Sequence, residues 1–361
     1  MAKYTILELR ASLSLEDILE VLRRKGKVEL TPSDENWPSQ ERIYASMLPF
    51  ENQFTIKEID TKITIPEKIE IDKIKEKYTV ELTPEIIEKK ERVIFSYVEI
   101  QRPKTDWYDN QDRLLSLDKR INLFESDSLF FEEDDTCYVA IQGAPKSDKV
   151  LRTKRDILHA NNLLEWPKSV KSELVGIPQN FVLDSDFFYW LYYLHKEKNG
   201  RIESLSHSIF ILELSGFHGT SLSETQRTKS QGDRITQLLT TNAFIFGKDD
   251  LKALRLTLQY GNEIVELELH YDGSVDLLSY DGEFANGTTL RSQAQLILIY
   301  KILLPFIQEV YQSQKKSGQW SQTVLELFLH KIGNEMITSI TNQVNKLIAK
   351  HKVTPTPDSE S

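Results

Sequence analysis

The sequence predicts an α+β fold in two domains, the second an antiparallel meander packed against C-terminal helices. Three observations carry this. The stretch "LRLTLQYGNEIVELELHYDGSVDLLSY" alternates apolar and polar residues and is broken by Gly261-Asn262 and Asp272-Gly273, the pattern of consecutive antiparallel strands. Two long segments of helical periodicity follow, from about 289 to 314 and from about 321 to 350. With 361 residues, 40 % of them hydrophobic and 10 % aromatic, the chain has material for more than one packed core.

The elements are justified in order. Residues 3–10, "KYTILELR", read as a strand. Ser14 with Asp17 forms the sequence of a capping box that opens a helix through Arg24, closed by Gly26. "FTIKEIDTKITI" (54–65) reads as a strand. "VELTP" occurs at 28–32 and again at 80–84, each time after a lysine-rich segment expected to be helical. Thr-Pro then suits the cap and first position of a further helix. No longer match flanks the two copies, so reuse of strand-to-helix punctuation is preferred over duplication. "RVIFSYVEIQ" (92–101) and "CYVAIQ" (137–142) are strands, and the intervening "ESDSLFFEEDD" carries six acids and no base.

Composition turns basic, with internal prolines, after residue 144. The expected division is an N-terminal α+β domain (1–148), a basic linker region (149–183), a C-terminal α+β domain (184–352) and a disordered tail (353–361). Residues 184–200 form a helix capped by Asp184 or Ser185 and stopped by Gly200. Its aromatic cluster suits a core or interdomain helix better than a base-stacking platform. In the meander, the Gly261-Asn262 turn puts Arg255 opposite Glu268 and Thr257 opposite Glu266. A two-residue second turn would set Leu269 against Asp276. A three-residue turn with Gly273 in the left-handed bulge position sets Leu269 against Val275 and Leu267 against Leu277, and the apolar pattern selects it.

The totals exclude several function classes. A formal net charge of −10 disfavours nonspecific nucleic-acid binding over a whole face and leaves room for a local basic patch. Cys137 is the only cysteine, so no intramolecular disulfide forms, which fits a reducing cytosol. The N-terminus, charged at Lys3, Glu8 and Arg10, lacks the apolar core of a signal peptide. The longest apolar run, 294–307, is interrupted by Lys301 and Pro305. It reads as a buried helix, and no membrane partner is expected.

No complete catalytic motif is present, and no cofactor is specified. Cys137 follows four acids, which raise a thiol pKa rather than activate it. Gly-Phe-His-Gly around His218 is not a serine elbow. Glu99-Ile100-Gln101 has the acidic half of the acidic-x-lysine pair used by metal-dependent nucleases, with glutamine where the lysine belongs. On the polar face of the meander, Glu268, His270 and Asp276 form a candidate metal set. The simpler reading is a solvated face in which Arg255 offsets the carboxylates.

The stretch "SGFHGTSLSETQRTKSQGDRI" (215–235) reads as a long polar connection between a strand and a helix opening near Asp233. Its glycines free the backbone, its basic residues outnumber its acids, and a helix start directs N–H groups at an anion. Gly216, His218, Gly219, Thr220, Arg227, Lys229 and Arg234 are the candidate anion- or nucleic-acid-binding residues. The functional expectation is a non-enzymatic cytosolic binding subunit. It would contact a protein partner or nucleic acid partly through residues 216–234. The alternatives are a metal-dependent, nuclease-like hydrolase and a sensor of a small anionic ligand.

Overall fold

The strand that opens the chain lies in the middle of the main sheet. The computed structural model describes residues 2–30, 37–38, 40–73, 76–204, 207–220, 227–232, 239–284 and 291–351. In order, the chain forms β1 (Ala2–Glu8), α1 (Leu15–Lys25), β2 (Lys27–Leu30), β3 (Ile43–Pro49), β4 (Lys57–Ile65), β5 (Lys68–Lys73), β6 (Glu76–Glu81) and β7 (Glu85–Pro103). Then come α2 (Leu117–Arg120), β8 (Ile121–Glu133), β9 (Thr136–Gln142), α3 (Asp148–Arg152) and a π-helical segment, Thr153–His159. α4 (Ser185–Glu197), β10 (Arg201–Glu203), β11 (Ser208–Thr220), β12 (Arg227–Gln231) and α5 (Leu239–Phe246) follow. The meander is β13 (Asp250–Tyr260), β14 (Glu263–His270) and β15 (Val275–Asp281). α6 (Arg291–Ile297), a π-helical segment (Leu298–Leu303) and α7 (Leu304–Ser317) form one continuous rod, and α8 (Gln322–His351) ends the described chain.

The fold is α+β. Thirteen strands form one sheet with the path β10-β11-β13-β14-β15-β1-β9-β8-β7-β3-β2. β12 is added to β11 and β4 to β7, and β5-β6 stand apart as a two-stranded sheet. β1 joins the two halves: Lys3 pairs with Asp276 of β15, and Ile6 pairs with Ala140 of β9. The central strands are covered on both faces, which explains their continuous apolar runs. Tyr4, Ile6, Phe131 and Tyr138 face the core shared with the meander, α4 and the C-terminal helices. Leu7, Phe130, Val139 and Ile141 face a second core with α1.

Residues 149–183 contribute Val150, Ile157, Leu158, Leu163, Leu164 and Val175 to that second core, all buried. They are packed structure: the π-helical segment lies against β2 and β3, and α3 lies against β8.

Local signals appear as read. Ser14 Oγ accepts from the Asp17 N–H, and Asp17 Oδ2 accepts from the Ser14 N–H, closing the capping box. Asp184 caps α4 by accepting from the Phe187 N–H at 2.7 Å, and the helix is buried through its aromatic length. The meander takes the three-residue second turn, with Gly273 at φ 74° and Leu269 opposite Val275. A further bulge follows at Glu266/Leu267, so Glu266 faces Ser279. The rod from Arg291 to Ser317 is long and apolar enough to cross a membrane, but 67 % of its apolar window is buried in the fold. Lys301, in its π-helical part, turns its amine to Glu91 and Glu133 on β7 and β8.

Two expectations fail. Residues 68–73 and 76–81 are two antiparallel strands, not a helix, and Thr83-Pro84 leads into β7. Ile69 and Ile71 alternate at period two and pack with Tyr78, Val80 and Phe210. Within 215–235 the described residues are strand rather than open loop: β11 runs on to Thr220, and β12 pairs beside it.

Candidate functional site

Glu268, His270 and Asp276 do converge. Alternation along β14 puts Glu268 and His270 on one face, and the register places Asp276 directly beside Glu268. His270 Nε2 lies 3.8 Å from Glu268 Oε1 and 3.6 Å from Asp276 Oδ1. One ligand atom from each of the three lies within 4.8 Å of the other two. All three side chains are nearly buried.

Two residues join them. β1 pairing brings Lys3 opposite Asp276, so its Nζ sits 3.1 Å from Asp276 Oδ1 and 2.9 Å from His270 Nε2. Lys3 Nζ and His270 Nε2 are within hydrogen-bond distance of each other, and both face Asp276 Oδ1. His218 of β11 brings its Nδ1 to 3.5 Å from Glu268 Oε1. Burial opposes ionisation of Asp276, but His270 and Lys3 outweigh it and hold the carboxyl below its ordinary range. Burial lowers the His218 pKa, against the opposing pull of Glu268. Arg255 turns away from Glu268, its register partner, to bond Glu266 at 2.6 Å.

Chemically, the cluster is two carboxylates compensated by one ammonium. A divalent cation bound by Glu268, His270 and Asp276 would have to displace Lys3, which already occupies the donor atoms of two of them. Lys3 is the functional-type residue that sequence reasoning missed. It lies 267 positions from His270, and nothing local announces the β1–β15 pairing.

The anion candidates fare differently. Gly216, His218, Gly219 and Thr220 lie on β11, and Arg227 and Lys229 on β12, with His218 opposite Lys229 and Thr220 opposite Arg227. The glycines answer to packing. A Cβ on Gly219 would meet the Phe244 ring of α5 at 2.1 Å, and one on Gly216 would come within 3.1 Å of Arg255 Cβ. Arg234 and the helix start near Asp233 lie outside the described residues. β12 pairs with β11 alone among the described strands, so Lys229 stands exposed on an outer strand.

The remaining candidates stay separate. Glu99 lies on β7, five strand spacings from β14, roughly 24 Å. Gln101 Oε1 accepts from the Tyr44 N–H. Cys137 is buried, and burial pushes its thiol up to about 12. Comparison with known proteins returns no matching family model and no matching curated protein.

Proposed function

We propose that the chain is a non-enzymatic, cytosolic binding subunit whose principal contact is with a protein partner. The observation that carries this is at the end of α8. Leu325, Phe328 and Ile332 anchor the helix in the core, but residues 337–349 are exposed on every side. Within that run Ile337, Ile340, Val344, Leu347 and Ile348 stay 44–64 % exposed. An ordered apolar stripe with no described residue over it is surface kept for a partner.

Two further features support the reading. Lys3 neutralises the meander cluster from within, which suits an ion network better than a hydrolytic metal centre. The outer strand β12, with Lys229, offers a second and basic contact on an acidic molecule.

Native mass spectrometry of the protein drawn from its own cells tests this. The expected result is a complex that dissociates when Val344 and Leu347 are both changed to Asp. A free single chain in those cells would overturn the proposal. A 260/280 nm absorbance ratio that is raised and falls with salt would redirect it to nucleic acid.

A further inference from the structure

The exposed end of α8 has a helical repeat of its own. Ile337, Ile340, Val344 and Leu347 are spaced three, four and three residues apart, the a-d-a-d spacing of a coiled-coil seam. Ile348 widens the stripe at a flanking position. Intrinsic propensity does not hold this segment helical. Ile337, Thr338, Ile340, Thr341, Val344 and Ile348 are β-branched, and Asn342 and Asn345 favour caps and turns. Isolated helices of ~12–15 residues are marginal even in good helix formers. Packing within the chain does not hold it either, since every residue from 337 to 349 is exposed.

The flanks say what covers the seam. From Asn334 to Ile348 the e and g positions are Asn334, Met336, Thr341, Gln343 and Ile348, all uncharged, and the next g position is Lys350. Charges at these positions set partner choice in coiled coils, by attraction to opposite charge and repulsion of like charge. Between Ile337 and Leu347 these flanks carry no charge to select a charged partner or to repel a second copy, and Lys350 lies beyond the last seam residue. The seam is also self-complementary in size. The five exposed apolar side chains present on the order of 500 Å² per chain. Two such faces together reach the roughly 1,000 Å² at which specific interfaces begin.

We propose that the end of α8 pairs with the same segment of a second copy of this chain as a two-stranded coil. This rests on the binding-subunit reading and names the partner.

The test is the mass of the isolated full-length protein by light scattering at tens of micromolar. The expected value is twice the 41.9 kDa chain. Val344→Asp with Leu347→Asp halves it, while the near-ultraviolet signal of the buried Trp190 and Trp320 is unchanged. Asn345→Asp, on the outer face, leaves the dimer intact. A single-chain mass for the unmodified protein overturns pairing with a second copy. The binding-subunit reading falls only if the protein is also a single chain in its own cells. A dimer that survives the double substitution also overturns the inference, because another surface then joins the chains.

Discussion

Lys154 lies in the π-helical segment Thr153–His159 with no exposed surface, and its Nζ donates to the Glu173 carbonyl at 3.2 Å. Burial lowers its pKa from 10.5 to about 8, against the partial support of Asp272 and Glu173. The folded pKa is below the unfolded one, so between about pH 8 and 10.5 the native state binds fewer protons than the unfolded state. The cost of holding the ammonium is therefore fully present below pH 8 and is relieved as pH rises through that window. Lys154→Met is expected to raise stability by roughly 2–3 kcal/mol at pH 7. The gain should shrink towards pH 10.5, and denaturant unfolding at a series of pH values reads the difference. A constant gain would mean that the Lys154 pKa is the same in the folded and unfolded chains. Glu263 is the opposite case, a buried carboxylate that accepts from Tyr280 Oη and from the N–H groups of Glu283 and Phe284. Glu263→Ala strands the Tyr280 hydroxyl and the Glu283 N–H, while the Phe284 N–H keeps Tyr280 Oη, and should cost about 2–4 kcal/mol, with Glu263→Gln costing less. The melting temperatures of the two variants check this.

The β11–β12 strand pair is where reading from sequence failed, and Gly219 explains why. Glycine, serine, threonine and lysine in one stretch resemble a loop. Here the glycine lets the Phe244 ring of α5 lie against a strand. Gly219→Ala is expected to destabilise by about 2 kcal/mol, and Phe244→Leu in the same chain should recover part of the loss. Equal costs with and without Phe244→Leu would show that the clash is not the cause. The elements that could be read are those specified within a few residues: the Ser14–Asp17 capping box, the Asp184 cap and the Gly273 bulge. The β5–β6 pair was hidden because Glu70 between Ile69 and Ile71, with lysines at 68 and 73, looks equally at home on a helix. The meander's polar face was legible as far as Glu268, His270 and Asp276. The residue that decides its chemistry, Lys3, comes from a strand whose pairing no local pattern specifies.

At the scale of the molecule, β1 bonds to β15 on one edge and to β9 on the other, so the first seven residues of the described chain tie the halves together. The same strand contributes Tyr4 and Ile6 to one core and Leu7 to the other. Removing it would expose two strand edges and open both cores, which no local repair can offset. Unfolding is therefore expected to be one cooperative transition for both halves, with Trp107 in the first half and Trp190 in the second reporting the same midpoint. Deleting residues 1–9 should abolish that transition and yield aggregates, although the strand is under a tenth as long as a domain. Two separable midpoints, or a chain lacking residues 1–9 that still melts sharply, would mean that the halves are energetically independent despite their common sheet. Lys3 makes the same point at the cluster: Lys3→Met leaves Asp276 without its ammonium and should destabilise by about 2 kcal/mol. If the three ligands can then accept a divalent cation, added Zn²⁺ should raise the melting temperature of that variant and not of the unmodified protein.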